Sequence, residues 1–302
     1  MAQAGFVGTR VFWVRVSPWA ALLLVIIASL GLTASASAKL SGNYSKFANC
    51  PYTNPEASKC IYSTTVGGEV VFGSRKVPIV NPAVLQGAYT EPDAKGFAKF
   101  IGATNGITLS KADQPVPGGL VGIVPPEGSP PLVKAVTTLI SENDLTKVSA
   151  TLELAKPPSS IRFSEKNLGG EEGTALSLPI KIHLENPFLG PSCYIGSSSS
   201  PITWNLSTGV TTPPKPTKPI SGTVGAVEFL EEGRVIETKG SSLVDNAWAI
   251  PVASGCGGFL SFLINPIANT AAGLPAAAGT SVATLENSAF ITSVTAVQKN
   301  AE

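Results

Sequence analysis

From Leu176 to Leu184 every second residue is apolar: Leu176, Leu178, Ile180, Ile182 and Leu184. The residues between them, Ser177, Pro179, Lys181 and His183, are polar or turn-prone, and Glu185 continues that set. Successive strand residues face opposite ways, so this alternation predicts a strand with one face on a core and one in water. Asn186-Pro187 ends it. Lys147 to Ala155 repeats the pattern, with Val148, Ala150, Leu152 and Leu154 inward and Ser149, Thr151 and Glu153 outward.

Shorter apolar runs predict further strands at Glu69–Phe72 and Val77–Val80, separated by Gly73-Ser74, and at Ile107–Leu109, Ile161–Phe163 and Ile202–Leu206. Thr223 to Thr238 reads as a hairpin turning at Glu231-Glu232-Gly233, and Thr280 to Val297 as a closing strand or pair that breaks at Glu286-Asn287-Ser288. Three stretches read as helices. Glu91 to Phe100 has Phe97 and Phe100 three apart, and Leu132 to Ile140 carries apolar residues at helical spacing. Phe259 to Ile267 is so apolar that it predicts a short buried helix, ended by Asn265-Pro266.

Two tracts break the pattern. Pro115 to Pro131 holds six prolines and four glycines and reads as a loop or linker; Thr211 to Pro219 holds four prolines and reads as extended and exposed. Many short strands between turn signals predict a mainly β fold, an antiparallel sandwich-like arrangement with a few short helices. No repeat at a fixed period runs through the chain. The predicted organisation has residues 1–38 as a signal peptide and 39–131 as a stapled, loop-rich segment that stands alone or docks. Residues 132–302 form the sandwich-like domain.

The N-terminus carries Arg10 and Arg15, then an apolar run from Ala20 to Leu32 and the small residues Thr33 to Ala38. That order is read by an export machinery, with cleavage after Ala38 first and Ala36 second. The competing reading is an uncleaved anchor over Val11 to Leu32, the one case in which this reading places the protein at a membrane. Losing the two arginines from 21 basic residues leaves 19 against 20 acidic ones. A chain so balanced has no field to draw it to nucleic acid or to an anionic membrane.

All four cysteines, Cys50, Cys60, Cys193 and Cys256, follow the signal, and an even number in an exported chain implies two disulfides. Of three possible pairings, Cys50–Cys60 closes the Pro/Asn-rich NCPYTNPEASKC, which leaves Cys193–Cys256 between two Gly/Ser-rich turns. With no C-x-x-C and a single histidine, a metal site is a poor use of these thiols, so neither metal nor cofactor is expected.

Catalytic chemistry finds little support. His183 is unique, but it lies on the polar face of its strand and reads as a solvated surface residue. There is no G-x-S-x-G, H-E-x-x-H or glycine-rich phosphate loop. Glu171-Glu172 and Glu231-Glu232 are the densest acidic spots, and both adjoin turn glycines. Trp204 and Trp248 read as core.

The segments NPFLGPSCYIGSSSSPI (186–202), PISGTVG (219–225), SSLVDN (241–246) and SGCGGFLSFLINP (254–266) resemble secreted proteins of high-GC Gram-positive bacteria whose function is not established. The resemblance implies export and supports the Cys193–Cys256 pairing; it implies no active site. The reading is a secreted, disulfide-stapled structural or binding module outside the cytoplasm. A protein or glycan of the cell envelope or the extracellular space is the partner class it leaves open. An extracellular hydrolase using paired carboxylates is the alternative, for which two acids must converge in one pocket.

Overall fold

The structure, a computed structural model, describes residues 40–120, 122, 127–141 and 143–301. The signal-peptide expectation lies outside them. Lys39–Glu302 is one compact unit. It contains both disulfides and both clusters of buried side chains described below, so it carries its own core.

Fourteen strands join the described residues into one antiparallel sheet. They are β1 (Lys59–Phe72), β2 (Arg75–Pro78), β3 (Ala83–Tyr89), β4 (Ala98–Gly102), β5 (Asp113–Val116), β6 (Val148–Leu154) and β7 (Arg162–Phe163). The second half supplies β8 (Leu176–Glu185), β9 (Tyr194–Ile195), β10 (Ile202–Leu206), β11 (Ala226–Leu230), β12 (Val235–Asp245), β13 (Ala253–Ser254) and β14 (Val282–Ser293). The helices are α1 (Pro131–Ser141), α2 (Glu165–Gly170), α3 (Ser261–Ala272) and α4 (Val294–Asn300).

The main path runs β11-β12-β14-β1-β3-β4-β7-β8-β6-β5. It turns a corner at β4, whose first residues pair with β7 and whose last pair with β3. Gly87 permits that corner: a Cβ there would stand 2.4 Å from the Ile101 carbonyl. Beyond it the sheet folds back, so that β8 and β10 face β1, β12 and β14. Ile61, Leu85, Leu243 and Leu285 of one layer share a core with Ile180, Ile182, Trp204 and Leu206 of the other. A bridge between Ser207 and Val244 joins the layers on the far side. The architecture is therefore mainly β and sandwich-like.

β8 is the strand on which the second layer is built. It pairs with β10 on one flank, and on the other with β7 at Leu176–Ser177 and β6 from Ile180 onward. The gap between those two pairings falls at Pro179, which has no N–H to leave unbonded. A proline is thus tolerated inside an interior strand.

The second face of the first layer is covered too. A 3₁₀ turn at Gly42–Phe47 and α4 lay Tyr44, Phe47, Val294 and Val297 on Cys60, Ala88, Val235 and Phe290. This double cover explains why β3 escaped prediction: its residues are buried on both faces, so no alternation marks it.

Five expectations change here. Glu91 to Phe100 is a turn followed by β4, because the Asp93 carboxylate captures the Lys95 and Phe97 amides at 2.9 and 3.0 Å. The Pro-rich tract begins inside a strand, since Pro115 pairs with Ser149; β5 ends the path, and an edge strand accepts a proline. Ile107 to Leu109 is a bend with a single bridge, Leu85 to Leu109. β14 runs unbroken through Glu286-Asn287-Ser288 because bulges in β1 and β12 absorb the irregularity. There Asn287 Oδ1 accepts the Thr65 hydroxyl at 2.7 Å, and Val294 begins α4 where a strand was expected.

Asp245 lies where the layers meet, its Oδ2 accepting the Asn205 amide at 2.6 Å and its Oδ1 the Ala247 amide at 2.8 Å. Burial raises its carboxyl above the ordinary carboxylate range, with the two amides opposing. The folded protein therefore holds this proton more tightly than the unfolded chain does. The resulting stabilisation is present below the unfolded value and is lost as pH rises through the folded one. Relative to Asp245→Asn, the wild type should lose stability across the interval just above the ordinary carboxylate range. Urea titrations at stepped pH check this.

Candidate functional site

The strongest candidate is the segment that follows β13. Cys256 is bonded to Cys193, which precedes β9, and the Gly257 amide donates to the Leu189 carbonyl at 2.6 Å. Two glycines make the turn possible. A Cβ at Gly255 would stand 2.1 Å from the Ser192 carbonyl, and one at Gly257 would stand 2.4 Å from Ile264; both have positive φ. A 3₁₀ turn over Gly258–Leu260 then leads into α3. At its far end Gly273 takes the left-handed conformation, and the Ser74 amide donates to the Ala272 carbonyl at 3.0 Å. The helix is thus fixed at both ends to the β scaffold.

α3 is amphipathic in the reverse of the usual sense. Its inner face carries two asparagines. Asn265 Oδ1 accepts the Cys256 amide at 2.9 Å; Asn269 Oδ1 accepts the Ala253 amide at 2.7 Å while its Nδ2 donates to the Ala253 and Asn265 carbonyls. Ile264 and Ala268 pack beside them on the main core. The outer face carries Phe259, Phe262, Leu263 and Ile267, with Phe259 91% and Phe262 77% exposed. This overturns the expectation of a buried helix. Asn265 and Asn269 satisfy backbone groups of the β13 region, which turns the phenylalanines out. Pro266 lies inside the helix and does not end it.

More apolar surface gathers at this end of the molecule. Phe188 is exposed next to Leu189, the residue bonded to Gly257. The connection that carries α1 leaves and returns nearby: the Leu120 amide donates to the Thr146 carbonyl, and Asn186 Nδ2 donates to the Leu145 and Lys147 carbonyls. Leu132 and Leu139 of α1 are exposed as well. No Asp, Glu, Lys or Arg occurs from Asn246 to Leu285 or from Asn186 to Pro214. The α3 part of this surface is held at both ends, aromatic and uncharged, while Lys134 puts a charge on α1; large exposed apolar patches mark interaction surfaces.

The other candidates are weaker. His183 faces outward as expected but is mostly covered: its ring stacks on Tyr194 at 4.5 Å, Nε2 donates to the Pro191 carbonyl at 3.1 Å, and Nδ1 lies 3.3 Å from Glu185. Glu171 caps α2 and accepts the Val224 amide, Glu231 accepts Asn43 Nδ2, and Glu232 pairs with Arg234. The two acidic spots occupy different turns. Trp204 and Trp248 are buried, edge to face at 5.6 Å. Among the described residues no cluster of three or more His, Cys, Asp or Glu could hold a metal ion. No described helix is long and apolar enough to cross a membrane.

Two other spaces bear on function. The cavity between the layers, lined by Leu85, Leu178, Trp204 and Leu243, measures about 50 Å³. That is roughly a third of the ~150 Å³ that admits benzene, too small for an acyl chain or sterol as the layers stand. A cleft of about 340 Å³ does bring two carboxylates together, Glu91 and Glu165, which the sequence reading did not single out. Each is already engaged. Glu91 accepts the Ser58 hydroxyl, and Glu165 accepts the Tyr89 hydroxyl on one oxygen and Lys59, at 2.6 Å, on the other. Burial first, then the Glu165 charge, pushes the Tyr89 phenol well up, which keeps it a donor.

The structure joins Cys50 to Cys60 and Cys193 to Cys256. No family model, curated protein or solved structure matches the chain. In the sequence, the site's signal was the pair Asn265 and Asn269: two amides four apart within an apolar run mark the face that bonds the scaffold.

Proposed function

We propose that this protein is an exported, disulfide-stapled binding module that docks its partner through the outer face of α3. Two disulfides fit an oxidising compartment, and the leader-like residues 1–38 fit export. N-terminal sequencing of the exported protein is expected to begin at Lys39; intact residues 1–38 would support the anchor instead.

The observation that carries the reading is the inverted amphipathicity of α3. Fully covering a Phe, Leu or Ile side chain is worth about 1.5–3 kcal/mol, so the outer face holds several kcal/mol of association free energy not used in folding. The scaffold holds that face in place beforehand, which lowers the ordering cost of binding.

The test is a photo-reactive phenylalanine analogue placed at Phe262 and, as a control, at exposed Lys95, with both proteins irradiated in the host envelope. Adducts at 262 and none at 95 are expected. Equal or absent labelling at the two positions would reject the docking face. A carboxylate hydrolase is the second reading, favoured by the Glu91–Glu165 cleft. It is the weaker one, because both acids already hold structural partners.

A further inference from the structure

Resting on that docking face, we infer that its partner is the surface of a lipid bilayer, into which the outer side of α3 dips without crossing. Three observations choose lipid over protein. First, the face offers no hydrogen bonds from polar side chains at its centre. Phe259, Phe262, Leu263, Pro266 and Ile267 are outward, while Asn265 and Asn269 are turned in and spent on the β13 region. Protein interfaces carry about one hydrogen bond per 100–200 Å², whereas hydrocarbon offers none and demands none.

Second, no Asp, Glu, Lys or Arg occurs in the stretch that carries α3, from Asn246 to Leu285, or in the one that carries Phe188, from Asn186 to Pro214; charge enters only from other segments, with Arg75 at the Ala271–Ala272 end and Lys134 on α1. A protein partner accepts a charged rim. A bilayer penalises every charge carried below its headgroups, so an uncharged helix face is the complement of lipid. Third, the face is not recessed, since Phe259, Phe262, Leu263 and Ile267 are all more than half exposed. Phe259, in the 3₁₀ turn, touches almost nothing, and Phe188 is exposed beside Leu189, whose carbonyl accepts the Gly257 amide. Exposed apolar side chains insert between lipid headgroups, while a protein partner would need a matching cavity for each. The two ends of α3 are bonded to the scaffold, so insertion needs no refolding. The arrangement matches an interfacial helix lying in the membrane plane, but without the basic face that usually accompanies one.

That missing basic face sets the test. The unit from residue 39 to 302 is mixed with vesicles of phosphatidylcholine alone, and of phosphatidylcholine with phosphatidylglycerol, and floated at low and high salt. Equal binding to both vesicle types, unchanged by salt, is expected. The Phe259→Ser/Phe262→Ser/Leu263→Ser variant should keep its near-ultraviolet circular dichroism and lose at least about a hundredfold in partitioning. In Phe262→Trp, emission should move to the blue when phosphatidylcholine vesicles are added, since Trp204 and Trp248 are already buried. This reading survives a fold lesion in the triple variant.

Binding confined to the phosphatidylglycerol vesicles and abolished by salt would overturn the inference. No binding to either vesicle, with protein adducts still forming at position 262, would overturn lipid and leave the docking face standing. No binding and no adducts would overturn both.

Discussion

Replacing both Cys193 and Cys256 with serine is expected to destabilise the protein by about 4 kcal/mol, the chain-entropy value for a closed loop of this length. The bridge spans 63 residues, against 10 for Cys50–Cys60, whose removal should take about 3 kcal/mol. The longer bridge also has a local task. The ladder of β9 and β13 is two residue pairs long, and Cys256 is the residue whose amide anchors Asn265. Without the disulfide the start of α3 depends on that ladder and a few side-chain bonds. Urea denaturation should give the global loss, and amide exchange should rise first across residues 253–272. A variant that matches the wild type in both would show that the bridge does not brace this end.

Trp204→Ala is expected to lose about 3–5 kcal/mol, the usual range for removing a large aromatic side chain from a core. Trp204 is 1% exposed and meets Trp248 edge to face, so its loss opens the junction between β10 and the chain that follows β12. The surroundings already include the small cavity beside Leu178 and Leu243, and a cavity that grows costs more than one that collapses. Trp204→Phe should lose much less, because among the described residues the indole N–H has no hydrogen-bond partner whose loss would add to the deficit. Denaturant midpoints for the two variants, measured side by side, check both magnitude and order. Equal losses would mean that aromatic packing at the junction counts for little.

How far the sequence can be read depends on how many faces of an element are covered. β8 and β6 each have one wet face over much of their length, so their alternation was plain, and so was the hairpin of β11 and β12. β3 is covered on both sides by its neighbours and by the Cys50–Cys60 region, which erases the period-two signal. β14 carries Glu286, Asn287 and Ser288 through its middle, because adjacent strands bulge to bond them; residue type alone argued for a break. α3 was misread for a different reason. Its apolar run signals burial, but the two asparagines settle which side of the helix faces the protein. The balanced charge, read as excluding attraction to an anionic membrane, agrees with a bilayer contact that is apolar and insensitive to salt.

Whether α3 shows its aromatic side to solvent depends on which way Phe262 points, and one substitution decides it. In urea denaturation of residues 39–302, Phe262→Ala should match the wild type within about 0.5 kcal/mol, as surface changes do. A loss of about 3–5 kcal/mol, the mark of an emptied core site, would put α3 inside the protein and contradict the account.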